Sequence, residues 1–177
     1  MTPRGDVLIL ACGNPARGDD ALGPALAEVL EQRRPHGVDV EADYQLTVED
    51  AAAIAEHDVV IFADADVAAE APFRFQAVQP KAALSFSSHS IAPAAVLALA
   101  RDLFGATTRG YTLGIRGYEF GAFREGLSEA ARKNLADATA FLLGVLAGRS
   151  FDRAARADAD DHDNQATEVS PCKTAST

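Results

Sequence analysis

Asp20, Asp64 and His89 are the side chains of this chain whose types could do chemistry together, two carboxylates and one imidazole drawn from three separate segments. Such a trio is a borderline oxygen and nitrogen donor set, suited to a divalent transition ion such as nickel or zinc, with positions left open for substrate or water. Asp20 lies in Gly13-Asn14-Pro15-Ala16-Arg17-Gly18-Asp19-Asp20-Ala21-Leu22-Gly23, directly after the apolar run Val7-Leu8-Ile9-Leu10-Ala11-Cys12. An apolar run that ends in Gly-Asn and opens into a helical pattern reads as strand, loop, helix. A dinucleotide-binding loop would aim bare backbone N–H groups at pyrophosphate, and paired carboxylates there would repel it. The loop therefore suits a cation or a polar substrate.

Each of the three also has a plainer role. Asp20 can cap the first helix, Asp64 can accept backbone N–H bonds at a strand end, and His89 can be a loop hydrogen-bond donor. Asp19 is expected to cap the helix or face solvent. Asp66 follows Asp64 by two residues and is an auxiliary ligand candidate that points the same way only if the strand continues. Arg17 reads as an exposed loop arginine, and Cys12, at a strand end, as a small buried hydrophobe rather than a nucleophile.

The elements that must position these groups follow from apolar periodicity. Strands are predicted over residues 7–12, 38–42, 59–63, 73–78 and 111–115, and helices over 22–33, 51–57, 94–104 and from Ser128 to Leu146. Thr47 followed three residues on by Asp50 reads as a capping box with a shorter acid. Phe73-Arg74-Phe75-Gln76-Ala77-Val78 alternates strictly, as an edge strand with one wet face does, and is expected to run antiparallel. The alternation predicts a three-layer α/β/α fold with a mostly parallel five-stranded sheet. Loops leaving the carboxyl ends of neighbouring strands in such a sheet share one crevice, which brings Asp20, Asp64 and His89 within reach of one another.

Composition sets the outer bounds. At 177 residues with 48% hydrophobic content the chain suits one globular domain, assigned to residues 1–148, with 149–177 expected as a loose acidic tail. His162 sits among aspartates there and reads as part of a solvated run. A formal charge of −10 argues against nucleic acid and anionic membranes as partners. No cleavable leader or membrane-spanning run is evident, so cytoplasmic residence is expected. Cys12 and Cys172 make neither a disulfide framework nor a metal cluster by spacing and are expected to be free thiols.

The motif Gly13-Asn14-x-x-x-Gly18-Asp19-Asp20-x-x-Gly23 resembles the opening motif of the hydrogenase maturation proteases. Val60-Ile61-Phe62-Ala63-Asp64-Ala65 is similar to that family's apolar strand ending in Asp-Ala, and Ser88-His89 before Ile91-Ala92-Pro93 to its histidine segment. Thr112-Leu113-Gly114-Ile115 resembles its late strand, so that the likeness covers roughly residues 7–146. The resemblance implies a phosphorylase/hydrolase-like sheet and a nickel-dependent endopeptidase. Such an enzyme removes the C-terminal extension of a [NiFe] hydrogenase large-subunit precursor once nickel is in place. It implies that the nickel is carried by the substrate, that Asp20, Asp64 and His89 contact it, and that Asp20 and Asp64 are the catalytic carboxylates.

Chemically, the metal could polarise the carbonyl or activate water with one carboxylate as general base, or the two carboxylates could share a proton as an aspartyl protease's do. The chain departs from the family pattern at Asp43-Tyr44-Gln45-Leu46, where Asp-Gly-Gly is common, and at Arg116-Gly117, where proline is common. Those segments look more like the branch serving bidirectional, NAD-linked hydrogenases, and Tyr118 and Glu119 are expected to line the cleft. Two other readings stand beside the protease: a non-catalytic metal-sensing chaperone of the immature subunit, and a nucleoside or nucleic-acid hydrolase on a similar sheet.

Overall fold

A computed structural model describes residues 6–82, 91–121 and 124–166. His89 and Cys172 lie outside the described residues, as does the final part of the tail. Five strands, β1 (Val7–Cys12), β2 (Val38–Asp43), β3 (Val59–Asp66), β4 (Phe73–Val78) and β5 (Arg109–Arg116), form one sheet in the order β2-β1-β3-β5-β4. All neighbours are parallel except β4 and β5. The expected mostly parallel sheet with one antiparallel strand is what forms.

Every residue of β1 and the first five of β3 are buried, because both faces of these central strands are covered by helices. On one face α1 (Leu22–Arg33), α4 (Glu129–Gly148) and α5 (Phe151–Ala166) pack Leu22, Leu26, Leu30, Leu142 and Phe151 onto Val7, Ile9, Ile61 and Leu113. On the other, α2 (Asp50–Ala55) and α3 (Pro93–Phe104) pack Ile54, Val96 and Leu97 onto Leu8, Leu10, Val60 and Phe62. Each such side chain contributes about 1.5–3 kcal/mol when fully buried. Alternate residues of one strand thus feed two cores, which is the period of a strand expressed as a layer.

Local chemistry sets the element ends. Ser128 caps α4 by accepting the Ala131 N–H at 3.2 Å, and Gly105 ends α3 in the left-handed conformation. At the start of α2 the box is half formed: Asp50 accepts the Thr47 N–H at 2.7 Å, while the Thr47 hydroxyl points to Asp50 instead of capping the helix.

Two expectations are corrected. Strand β3 does not stop at Ala63 but runs to Asp66, because β5 extends alongside it to Arg116. Residues 151–166, expected in the tail, form α5, with Phe151 and Ala155 buried in the first core. The helix is anchored by Asp152, which accepts from the Tyr111 hydroxyl and from Arg109 Nη1, and by Asp158, which accepts the Phe75 N–H at 3.1 Å. That bond lies at the outer edge of β4, and acidic composition hides the helix because a few apolar residues, Phe151, Ala154 and Ala155, dock its first turns.

Candidate functional site

The order β2-β1-β3 reverses direction at β1, so the carboxyl ends of β1 and β3 flank a switch point of the sheet. Asp20 follows β1 in a 3-10 turn, Gly18–Ala21, and Asp64 lies on β3. Pairing between β1 and β3 ends at Ala11 and Ala63, so Asp64 is the first β3 residue that β1 no longer covers. It opens onto a cleft of about 800 Å³ lined by β3, β4, β5, the start of α3 and the loop after β2.

The loop holding Asp20 folds against itself. Asp20 Oδ2 accepts the Asn14 N–H at 3.0 Å, and Asn14 Oδ1 accepts the Ala16 N–H at 2.9 Å. Gly13 has φ +143°, and a Cβ there would sit 1.9 Å from the Asp20 carbonyl oxygen. A Cβ on Gly23 would sit 2.0 Å from the Cys12 carbonyl oxygen. The spaced glycines of the motif therefore allow backbone to touch backbone and hold Asp20 at the end of β1. Asp20 does not cap α1, whose first turn has no side-chain cap.

Asp64 Oδ1 accepts the N–H of Ala65 at 2.7 Å. Although its carboxyl opens onto the cleft, the surrounding protein displaces much of its water, and its pKa is pushed up to about 6. Desolvation is the main cause, the charges of Asp20 and Asp66 add to it, and the Ala65 hydrogen bond opposes it. Asp20 is thus an electrostatic neighbour of Asp64, although it stands beside the cleft rather than among the residues lining it. Asp66, on the same face of the extended β3, also lines the cleft, but its Oδ1 closes the following turn by accepting the N–H groups of Ala68 and Ala69 at 2.7 and 3.0 Å.

Cys12 lines the cleft as a buried thiol. Burial first, then the charges of Asp64, Asp50 and Asp43, push its pKa up to about 12, so it stays protonated at neutral pH. Among the described residues no three His, Cys, Asp or Glu side chains gather as a group able to hold a metal ion. The third donor named from the sequence, His89, lies outside the described residues.

Asp19, expected as a helix cap or solvent-facing, is 0% exposed. Its carboxylate accepts the backbone N–H groups of Tyr118, Glu119 and Ser128 and the Ser128 hydroxyl, at 2.7–2.9 Å. Burial would raise its pKa, but these four donors together outweigh that and hold it below the ordinary carboxylate range. Tyr118 and Glu119, expected to line the cleft, instead belong to this knot beneath the Asp20 loop and are absent from the cleft lining. Arg17 is exposed as expected, its backbone bridged to Arg124.

The cleft has a second wall that the sequence reading passed over. Arg74 and Gln76 of β4 and Thr112 of β5 line it opposite the acidic strand end. The signal was present in the alternation of β4, whose wet face carries Arg74 and Gln76 to this cleft. Tyr44, Gln45 and Leu46 complete the lining where the chain departs from the motif pattern.

No family model matches the sequence, and no curated protein matches it. Solved structures do match the fold. The hydrogenase maturating endopeptidase HybD from E. coli superposes with a TM-score of 0.63 at 22% identity, over 83% of this chain and 94% of that one. A [NiFe] hydrogenase maturation protease HycI from Thermococcus kodakarensis matches with a TM-score of 0.62 at 22% identity, over 82% of this chain and 94% of that one. An uncharacterized protein from Wolinella succinogenes matches with a TM-score of 0.55 at 25% identity, over 80% and 96%.

Proposed function

We propose that this chain, which has the fold of the hydrogenase maturation proteases, is an endopeptidase that removes the C-terminal extension of a [NiFe] hydrogenase large-subunit precursor after nickel insertion. The observation that carries the reading is the placing of Asp20 and Asp64 on either side of the β1/β3 switch point, each with one carboxylate oxygen tied by a backbone N–H. Nickel belongs to the substrate in this reading. It docks against Asp20 and Asp64, with His89 as the third contact, and so sets the peptide bond beside them. Among the described residues no helix is long and apolar enough to cross a membrane. The reading places the reaction in the cytoplasm.

Asp64 is the general base. One of its oxygens is held by the Ala65 N–H while the carboxyl opens onto the cleft, within reach of an attacking water. It takes a proton from water as the oxygen attacks the carbonyl carbon, and the same proton passes to the leaving amine when the C–N bond breaks. Asp20, on the metal side, adds a second carboxyl group that suits a cationic centre at the site.

The test is to incubate the full chain with nickel-loaded and nickel-free precursor and follow the subunit's mass. Trimming of the loaded form alone is expected. Equal cutting of both overturns nickel sensing, and docking without any change of mass favours the chaperone reading.

A further inference from the structure

Register places Asp64 of β3, Gly114 of β5 and Arg74 of β4 in one row across the sheet. All three line the cleft, and the middle residue has no side chain. The next row, Phe62, Thr112 and Gln76, also lines it and adds a hydroxyl and an amide on the β4 side. The result is a trough floored by Gly114, with an acid at one end and a guanidinium at the other. Asp66 leans over the same floor, since a Cβ on Gly114 would meet Asp66 Oδ2 at 2.9 Å.

Arg74 is the one cation among the described residues that line the cleft. An anionic group entering this cleft meets the carboxyl groups of Asp64 and Asp66 on the β3 side and a guanidinium on the β4 wall. A guanidinium offers five donors in a planar fork that matches a carboxylate. Arg74 already takes part in an interaction within the chain, and a guanidinium's five donors allow more than one partner.

We propose that Arg74 binds a carboxylate of the substrate peptide and, with Gln76 and Thr112 supporting the backbone, fixes which way the peptide lies across the sheet edge. The inference rests on the endopeptidase reading and deepens it. Two strand spacings separate Asp64 from Arg74, about 10 Å between backbones, which an extended peptide covers in about three residues. The carboxylate, from a chain terminus or from an Asp or Glu side chain, therefore lies about three residues from the bond that Asp64 addresses.

The probes are fluorescein-labelled, alanine-rich peptides in three forms: one with a free carboxyl terminus, one amidated, and one amidated with a single internal Glu. Their binding to the full chain is read by anisotropy, which needs no cleavage and so separates this inference from the precursor experiment. At least one acidic form should bind about tenfold tighter than the neutral amide, as charge-assisted bonds to a fork do. Whichever acidic form gains identifies the source of the carboxylate. Arg74→Gln should erase the difference while leaving the amide's affinity unchanged, with circular dichroism showing the variant folded, and Arg74→Lys should restore part of it. Equal binding of all three forms, no binding of any, or a preference that survives in Arg74→Gln overturns the proposal.

Discussion

The Asp19 carboxylate receives both the backbone N–H and the hydroxyl of Ser128, at 2.7 and 2.8 Å. This joins the loop before α1 to the capping residue of α4, 109 positions away in the chain. Tyr118 and Glu119 supply two more donors from the segment after β5. Asp20, the next residue, is therefore held in place by a neighbour that takes no part in the chemistry itself.

Asp19→Ala should cost about 3 kcal/mol or more, because three buried backbone donors lose their acceptor together. Asp19→Asn, which keeps one acceptor oxygen, should cost roughly half of that. The sign with pH follows from the lowered pKa. A carboxyl whose folded pKa lies below its unfolded value of about 3.9 stabilises the fold above that value and loses the contribution as pH falls through the folded one. Urea titrations of wild type and Asp19→Asn should differ by a constant amount from about pH 5 to 7 and converge in stronger acid. A difference that did not shrink in acid would show that the charge is irrelevant.

Asp64 should behave in the opposite sense. Its folded pKa of about 6 lies above the unfolded value. The folded state then holds the extra proton between about pH 4 and pH 6, and stability declines as pH rises through that window. Calorimetry on metal-free protein should show this slope in wild type and lose it in Asp64→Asn, which should melt higher at pH 7. The same variant should cut precursor at least about a hundredfold more slowly if Asp64 is the base.

Gly13→Ala should destabilise by about 2–4 kcal/mol, since its Cβ would fall 1.9 Å from the Asp20 carbonyl oxygen and φ is +143°. Gly105→Ala is the matched control. That residue also has positive φ but meets nothing within 4 Å, and its substitution should cost only about 1 kcal/mol. Similar losses at the two sites, measured by urea denaturation, would remove the steric argument for the motif glycine.

Phe151→Ala should cost about 3–5 kcal/mol, as emptying a buried aromatic site does. Removing residues 151–177 should in addition strip the Asp158 bond from Phe75 and uncover the edge of β4, which is expected to promote association through that edge. Sedimentation of the shortened chain checks the second effect. A monomer of unchanged melting temperature would return α5 to the status of a loose tail.

What could be read in the sequence is what depends on local period and local chemistry. Val7 to Cys12 and Val59 to Ala63 read as buried strands because nothing polar interrupts them, and Ser128 and Pro93 marked their helix starts through capping and a fixed φ. That Asp20 and Asp64 fall at one sheet edge followed from parallel strands alone, since such strands share a carboxyl end. The three-dimensional packing decided the rest. Two adjacent aspartates, Asp19 and Asp20, are indistinguishable by type, and only the approach of the chain after β5 buries one and leaves the other beside the cleft. Arg74 reads as solvent-facing along its own strand, and becomes a wall of the cleft because β5, which follows later in the chain, inserts between β4 and β3 and places bare Gly114 in the gap. Contacts between residues far apart in sequence leave no periodic trace, so a pattern along one segment predicts its element and not what that element will face.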